Sequence, residues 1–135
     1  MEIVIRNYSD SDLDSLNELL NEVYGLTKKN NNKANTELVA VSSNKIIGYL
    51  TINKLYDSVM DYSYCYINYV CVKSEYRHCG VATALFNKVF EICKTEKLSY
   101  IELTSNPIRK EAHALYKKLG FNIRETDVFR KEILW

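Results

Sequence analysis

The chain has 135 residues, enough for one domain with a real core, and its 47% apolar and 26% charged residues are those of an ordinary folded protein. A formal net charge of +1 gives no global field to hold a nucleic acid or an anionic membrane, and no stretch approaches the ~20 apolar residues of a membrane span. The N-terminus, Met1-Glu2-Ile3-Val4-Ile5-Arg6, reads as a strand and lacks the plan of a signal peptide, so the expected location is cytoplasmic.

Residues 2–7 alternate as a first strand. Ser9 or Asp10 then caps a helix whose Leu13, Leu16, Leu19, Leu20 and Val23 form one apolar stripe, and Gly25 ends it. Residues 27–36 are polar and asparagine-rich, a mobile loop or a frayed short helix. Glu37–Ser42 and Lys45–Leu55 read as strands joined by a tight turn at Ser43-Asn44. Tyr62–Val72 is apolar or aromatic on both faces, as expected of a central strand.

Gly80–Lys94 has Val81, Leu85, Val89 and Ile92 on one side of a helix. Leu98–Thr104 is another strand, Arg109–Leu119 a helix with Ala112, Leu115 and Leu119 in phase, and Gly120 its stop. Phe121–Ile133 is expected to return as one or more closing strands. The order β-α-β-β-β-α-β-α-β is a mixed α/β fold, a single layer of strands with helices on both faces, in one domain over 1–135. The strands Tyr62–Val72 and Leu98–Thr104, joined through a helix, should run parallel, and ligands in such units bind at the carboxyl ends of the strands.

Arg77-His78-Cys79-Gly80-Val81-Ala82 lies at such an end. A strand that turns through a glycine loop into a helix leaves several N–H groups without intrahelical partners, at the positive end of the helix dipole, and suits a phosphate or pyrophosphate. A plain helix-initiating turn is the blander reading. Cys65, Cys71, Cys79 and Cys93 fit neither a metal pair nor a disulfide framework, so no metal is expected. Cys79, beside His78 and near a helix N-terminus, is a minority candidate for a catalytic thiol.

Tyr69 through Phe86, with Val72, Arg77, Gly80 and Ala82 at the spacing V-x-x-x-x-R/Q-x-x-G-x-G/A, closely resembles the acetyl-CoA signature of the GCN5-related N-acetyltransferases. Ala82 stands where glycine is commoner. Arg109 through Phe121 is similar to the closing motif of that family, A-x-x-x-Y-x-x-x-G-F, in the version whose helix opens R-x-x-A-H.

The resemblance implies an acetyl-CoA-dependent transfer of an acetyl group to a primary amine, by direct attack in a ternary complex. It places the pyrophosphate on main-chain N–H groups of His78, Cys79, Gly80, Val81, Ala82 and Thr83, beside Arg77. It pairs the pantetheine arm with the main chain of Val70, Cys71 and Val72, where an N–H also polarises the thioester carbonyl. Tyr116 is then the acid for the departing thiolate; by composition alone it is a core aromatic. For the base, Asn68 stands near where some relatives carry a carboxylate. Ile101-Glu102-Leu103 matches an alternative L-E-V strand, whose Glu102 is flanked by apolar residues. Arg109 replaces a cofactor-contacting asparagine, which Asn106 could supply instead, and His113 reads as a solvated neighbour of Tyr116.

The R-x-x-A-H opening also occurs in relatives that acetylate small amines, which points to a small-molecule acceptor, and the near-neutral charge to no nucleic-acid partner. Protein N-termini or lysines, and a non-catalytic acyl-CoA-binding module, are the competing readings. Acceptor contacts are expected from the first helix, residues 27–36 and residues 56–64. A homodimer is also expected from the resemblance, with the C-terminal strand ending at Trp135 as its edge.

Overall fold

A computed structural model describes residues 1–27, 29–30 and 36–135. Residues 28 and 31–35, part of the polar stretch expected to be a loop or frayed helix, lie outside the described residues. The chain divides into two compact units, Met1–Thr104 and Ser105–Trp135.

The first unit is a five-stranded sheet in the order β1-β2-β3-β4-β5. Its strands are β1 (Val4–Asn7), β2 (Thr36–Ser42), β3 (Lys45–Asp57), β4 (Tyr62–Val72) and β5 (Ile101–Glu102). The first four pair antiparallel and β5 runs parallel to β4, as a β-α-β connection requires. The turn at Ser43 and Asn44 has both residues left-handed, the geometry that lets two strands turn back without splaying.

Helices cover the two faces. On one, α1 (Leu13–Tyr24) packs Leu16, Leu19 and Leu20 against Val39, Ile46, Tyr49 and Cys71. A short 3-10 turn, Asp10–Asp12, precedes α1 with Ser9 as its cap, and Gly25 closes α1 with φ +68. On the other face lies α2 (Val81–Glu96), with Val81, Leu85, Phe86 and Val89 buried. A Cβ on Gly48 would sit 2.6 Å from the Val81 side chain, so glycine there lets α2 lie close on the sheet.

β5 is shorter than the strand expected over Leu98–Thr104. It pairs with β4 at only two positions, Cys65 with Ile101 and Tyr66 with Glu102.

In the second unit, α3 (Lys110–Lys118) ends in a closed cap. Gly120 N–H reaches Lys117 carbonyl (3.1 Å), Phe121 N–H reaches Tyr116 carbonyl (2.9 Å), and the Phe121 ring meets Tyr116 at 5.9 Å. This is the Schellman arrangement, with Gly120 left-handed at φ +96. The strands expected over Phe121–Ile133 do not form: no helix or strand follows α3, and Ile123, Val128, Phe129 and Ile133 are exposed. Six charged residues among positions 124–132 leave this stretch little apolar face to bury, and a strand without a partner leaves its ladder unmade. The C-terminal strand edge expected to serve a homodimer is therefore missing.

Candidate active site

The carboxyl end of β4 is irregular. Tyr49 pairs with Cys71 and Thr51 with Asn68, which leaves the single residue Leu50 of β3 against Tyr69 and Val70 of β4, so β4 carries a bulge, with Tyr69 left-handed at φ +57. One inserted residue inverts which way the main chain faces. Before the bulge Cys65 N–H bonds to Tyr100 carbonyl, on the β5 side, whereas after it Lys73 N–H bonds to Ile47 carbonyl, on the β3 side. Both are odd-numbered. Past the bulge it is therefore Val70 and Val72 whose N–H and C=O point away from β3. β5 pairs no further than Tyr66, so among the described residues no strand pairs with this outer edge of β4. Part of it is occupied: the Tyr24 hydroxyl donates to Val70 carbonyl (2.9 Å).

Beyond Val72 the chain makes a short turn over Ser74–Tyr76 and enters α2 through Arg77, His78, Cys79 and Gly80. His78 (φ +61) and Gly80 (φ +82) are both left-handed, flanking Cys79, the kind of alternation that gathers N–H groups into an anion-binding concavity. The first intrahelical bond is Ala84 N–H to Gly80 carbonyl (3.0 Å), so the N–H groups of Val81, Ala82 and Thr83 precede the ladder. The first turn of α2 has no acidic residue. A Cβ on Gly80 would meet nothing within 4 Å, so glycine is demanded here by backbone angle, and open space lies where a ligand would approach. Cys79 is exposed, its thiol donating to Arg77 carbonyl (3.5 Å).

Glu37, Thr51 and Asn68 lie in one transverse row across β2, β3 and β4, on the face that α1 covers. Asn68 begins a run down the same face of β4: Tyr66, Tyr64 and Tyr62. Tyr64 stacks on Tyr100 (4.8 Å, 18° between planes), Tyr62 lies 5.7 Å from Tyr100, and the Tyr66 hydroxyl is 3.0 Å from Thr104 Oγ1. Hydrogen bonding to Tyr62 pushes the Tyr100 phenol up to about 12. Glu102, paired with Tyr66, is exposed, not enclosed as its apolar neighbours suggest.

Sequence reading missed a buried network beside this row. The Lys29 ammonium reaches Glu37 Oε1 (3.0 Å) and Asn30 carbonyl (2.9 Å) and stands 4.5 Å from the centre of the Tyr8 ring. Glu37 also accepts from the Tyr49 hydroxyl, whose pKa is raised first by burial and then by that bond. Both Lys29 and Glu37 side chains are only 8% exposed. The one available signal was a glutamate opening an otherwise apolar strand.

The remaining candidates belong to the second unit. Tyr116 is the buried residue of α3, and burial raises its pKa although Arg109 opposes this. Asn106 Oδ1 accepts from Ile108 N–H (3.0 Å) and its carbonyl from Arg109 N–H (3.0 Å), so Asn106 shapes the entry to α3. Arg109 is exposed at the helix start. His113 is half-buried, and its Nε2 has no hydrogen-bond partner among the described residues, unlike the solvated histidine expected. Among the described residues, no group of His, Cys, Asp and Glu side chains could hold a metal and no helix is long and apolar enough to cross a membrane.

Residues 2–121 match the sequence profile of the acetyltransferase (GNAT) family. The L-amino acid N-acetyltransferase AaaT of Escherichia coli (strain K12) is 33% identical over 95 residues, 67% of this chain and 55% of that protein. The match thus spans about half the length of that relative. Among solved structures, a transcriptional regulator from Bacillus halodurans C-125 superposes with a TM-score of 0.84 at 21% identity, over 98% of this chain and 100% of that one. The aminoglycoside acetyltransferase meta-AAC0020 from an uncultured soil metagenomic sample gives 0.82 at 18% identity, over 98% and 97%. At such identities the likeness shows the fold alone.

Proposed function

We propose that this chain, which belongs to the acetyltransferase (GNAT) family, transfers the acetyl group of acetyl-CoA to a primary amine of a small molecule. Membership makes it an N-acetyltransferase. The single domain is supported by the family match, which runs from the first compact unit into the second as far as residue 121.

The observation that carries the reading is the outer edge of β4. At Val70 and Val72 the main chain faces away from β3 where β5 no longer pairs, and the same strand leads directly into a left-handed loop with unladdered N–H groups. An extended amide-bearing arm suits the first as an added strand, and a diphosphate suits the second. Acetyl-CoA supplies both, with an activated thioester between the arm and the acceptor.

On this reading the residues take the roles that the family resemblance implies. The N–H groups of Gly80, Val81, Ala82 and Thr83 hold the diphosphate, with Arg77 and His78 adding positive or donor groups at the rim. Val70 N–H polarises the thioester carbonyl as negative charge develops on its oxygen. The attacking amine must shed a proton, to Glu102 directly or to water; Glu102 faces the same side of the sheet as the tyrosine run. The new N–C bond forms as the C–S bond breaks, and Tyr116 gives the leaving thiolate its proton. A raised pKa keeps that phenol protonated at neutral pH, as an acid must be. Asn106 and Arg109 are the reserve contacts to cofactor or acceptor. A small acceptor is supported by the R-x-x-A-H opening of the last motif and by the amino-acid substrate in the name of the E. coli relative.

Calorimetry of acetyl-CoA with wild type and Gly80→Glu tests the donor. Micromolar binding is expected for wild type and a loss of at least about a hundredfold for the variant, through a side chain forced into left-handed backbone and a carboxylate set against the diphosphate. A folded wild type that does not bind acetyl-CoA overturns the reading. Thiol release with amino acids, diamines, aminoglycosides and lysine-containing peptides then separates small acceptors from proteins.

A further inference from the structure

The last turn of α1 is fastened to the carboxyl end of β4 more heavily than helix termination requires. Gly25 already ends α1, its N–H bonding to Asn21 carbonyl. In addition, the Tyr24 hydroxyl donates to Val70 carbonyl at 2.9 Å, and its ring meets the Tyr69 ring edge-on at 5.6 Å and 89°. Glu22 accepts from Ser74 N–H (2.8 Å) and from the Lys73 ammonium (3.1 Å). These contacts grip the bulge itself and the turn that follows it. Ordering a part-exposed phenol on one carbonyl costs side-chain entropy, so the tie has to return something.

It returns rigidity where the ladder gives none. A bulged strand without a partner on one edge lacks the hydrogen bonds that fix its peptide planes there. Val70 is the first residue after left-handed Tyr69, and its N–H and C=O both face the unpaired side. Holding the carbonyl fixes the Val70–Cys71 peptide plane, while the ring contact restrains Tyr69, whose peptide with Val70 carries the N–H. Restrained on both flanks, Val70 has little freedom to turn that N–H. Resting on the acetyltransferase reading above, we propose that Tyr24 is a positioning residue of the acyl site, clamping the β4 bulge so that Val70 N–H is preorganised for the thioester carbonyl. The phenol itself does not touch the reacting atoms.

Preorganisation is what makes such an N–H effective, and loss of a whole oxyanion donor costs about 10²–10³ in turnover. Misaiming one costs less. Tyr24→Phe keeps the ring and its contact with Tyr69 and removes only the hydroxyl. Titrating it with acetyl-CoA and with coenzyme A, which lacks the thioester carbonyl, isolates the effect. The expected result is unchanged affinity for coenzyme A, a several-fold weaker affinity for acetyl-CoA, a turnover lowered about tenfold on the best wild-type amine, and an unchanged melting temperature. Turnover within twofold of wild type overturns the proposal. So does an equal loss of affinity for both ligands, the mark of a tie that is merely structural. Wild type that binds neither ligand is a different failure, of the acetyltransferase reading itself, and is read without the variant.

Discussion

The outer edge of β4 and the α1 face of the sheet meet at the same bulge but are built from different material. The edge and the loop after it present main chain: Val70, Val72 and the N–H groups from Gly80 to Thr83. The α1 face presents side chains: Glu37, Thr51, Asn68 and the tyrosines at 62, 64, 66 and 100. A ligand shared by a whole family is suited to the first kind of surface, because main-chain recognition constrains only glycine and small-residue positions. On the proposed function, an acceptor that differs between relatives would be selected by the second kind, where side chains are free to change.

The largest test of this contrast is on the side-chain surface. Glu37→Gln removes the carboxylate from a pair that is almost fully enclosed and leaves the Lys29 charge without its counterion. Breaking a buried pair in this way costs about 3–5 kcal/mol, and urea midpoints should fall accordingly. Lys29→Met strands the Glu37 carboxylate in turn, although that group keeps its bond from Tyr49, so it should cost a similar amount. Losses below about 1 kcal/mol in both variants would mean that the charge pair is not what holds this corner. Acetyl-CoA affinity should be the same in both folded variants, since neither residue belongs to the main-chain edge.

A middle-sized effect is expected at Tyr116. Tyr116→Phe should lower turnover about 10²–10⁴-fold, the usual scale for a general acid, with acetyl-CoA binding retained. Turnover equal to wild type would remove Tyr116 from the mechanism. The Phe variant keeps its ring contact with Phe121, so a loss of melting temperature is not expected.

How much of this was legible in the sequence depends on the same distinction. Gly80 announces the loop because a left-handed residue before a helix nearly requires it, and Gly25 announces the end of α1 for the same reason. Tyr62–Val72 was read with its observed bounds because a doubly covered strand is apolar on both faces. The Y-x-x-x-G-F ending proves to be partly architecture: tyrosine, glycine and phenylalanine fill the C3, C′ and C″ places of one Schellman cap. The bulge was not legible, since nothing about Tyr69 says that it will stand left-handed. Nor was the Lys29–Glu37 pair, which depends on a long-range approach of two charged residues that singly read as surface. The strands expected after Phe121 fail because alternation alone does not supply a pairing partner.

The smallest effect sharpens the contrast by separating the two ends of α1. Its start is held by Asp12, which accepts both guanidinium nitrogens of Arg6 (2.7 Å each) and Ser9 N–H (2.8 Å). The Arg6 hydrogen bonds lower the Asp12 pKa most, and Ser9 adds to this, although burial opposes it. A carboxylate whose pKa falls on folding stabilises the fold above its unfolded value, about 3.9, and that contribution fades as pH drops through the folded value. Asp12→Asn should therefore cost about 1 kcal/mol at pH 7, kept small because the Arg6 side chain is 41% exposed. The gap between wild type and variant should shrink as the pH is lowered below about 4. A gap that stays constant with pH would show that Asp12 acts through shape rather than charge. Because this anchor lies at the end of α1 away from Val70, acetyl-CoA affinity should not change, whereas loosening the other end at Tyr24 should change it.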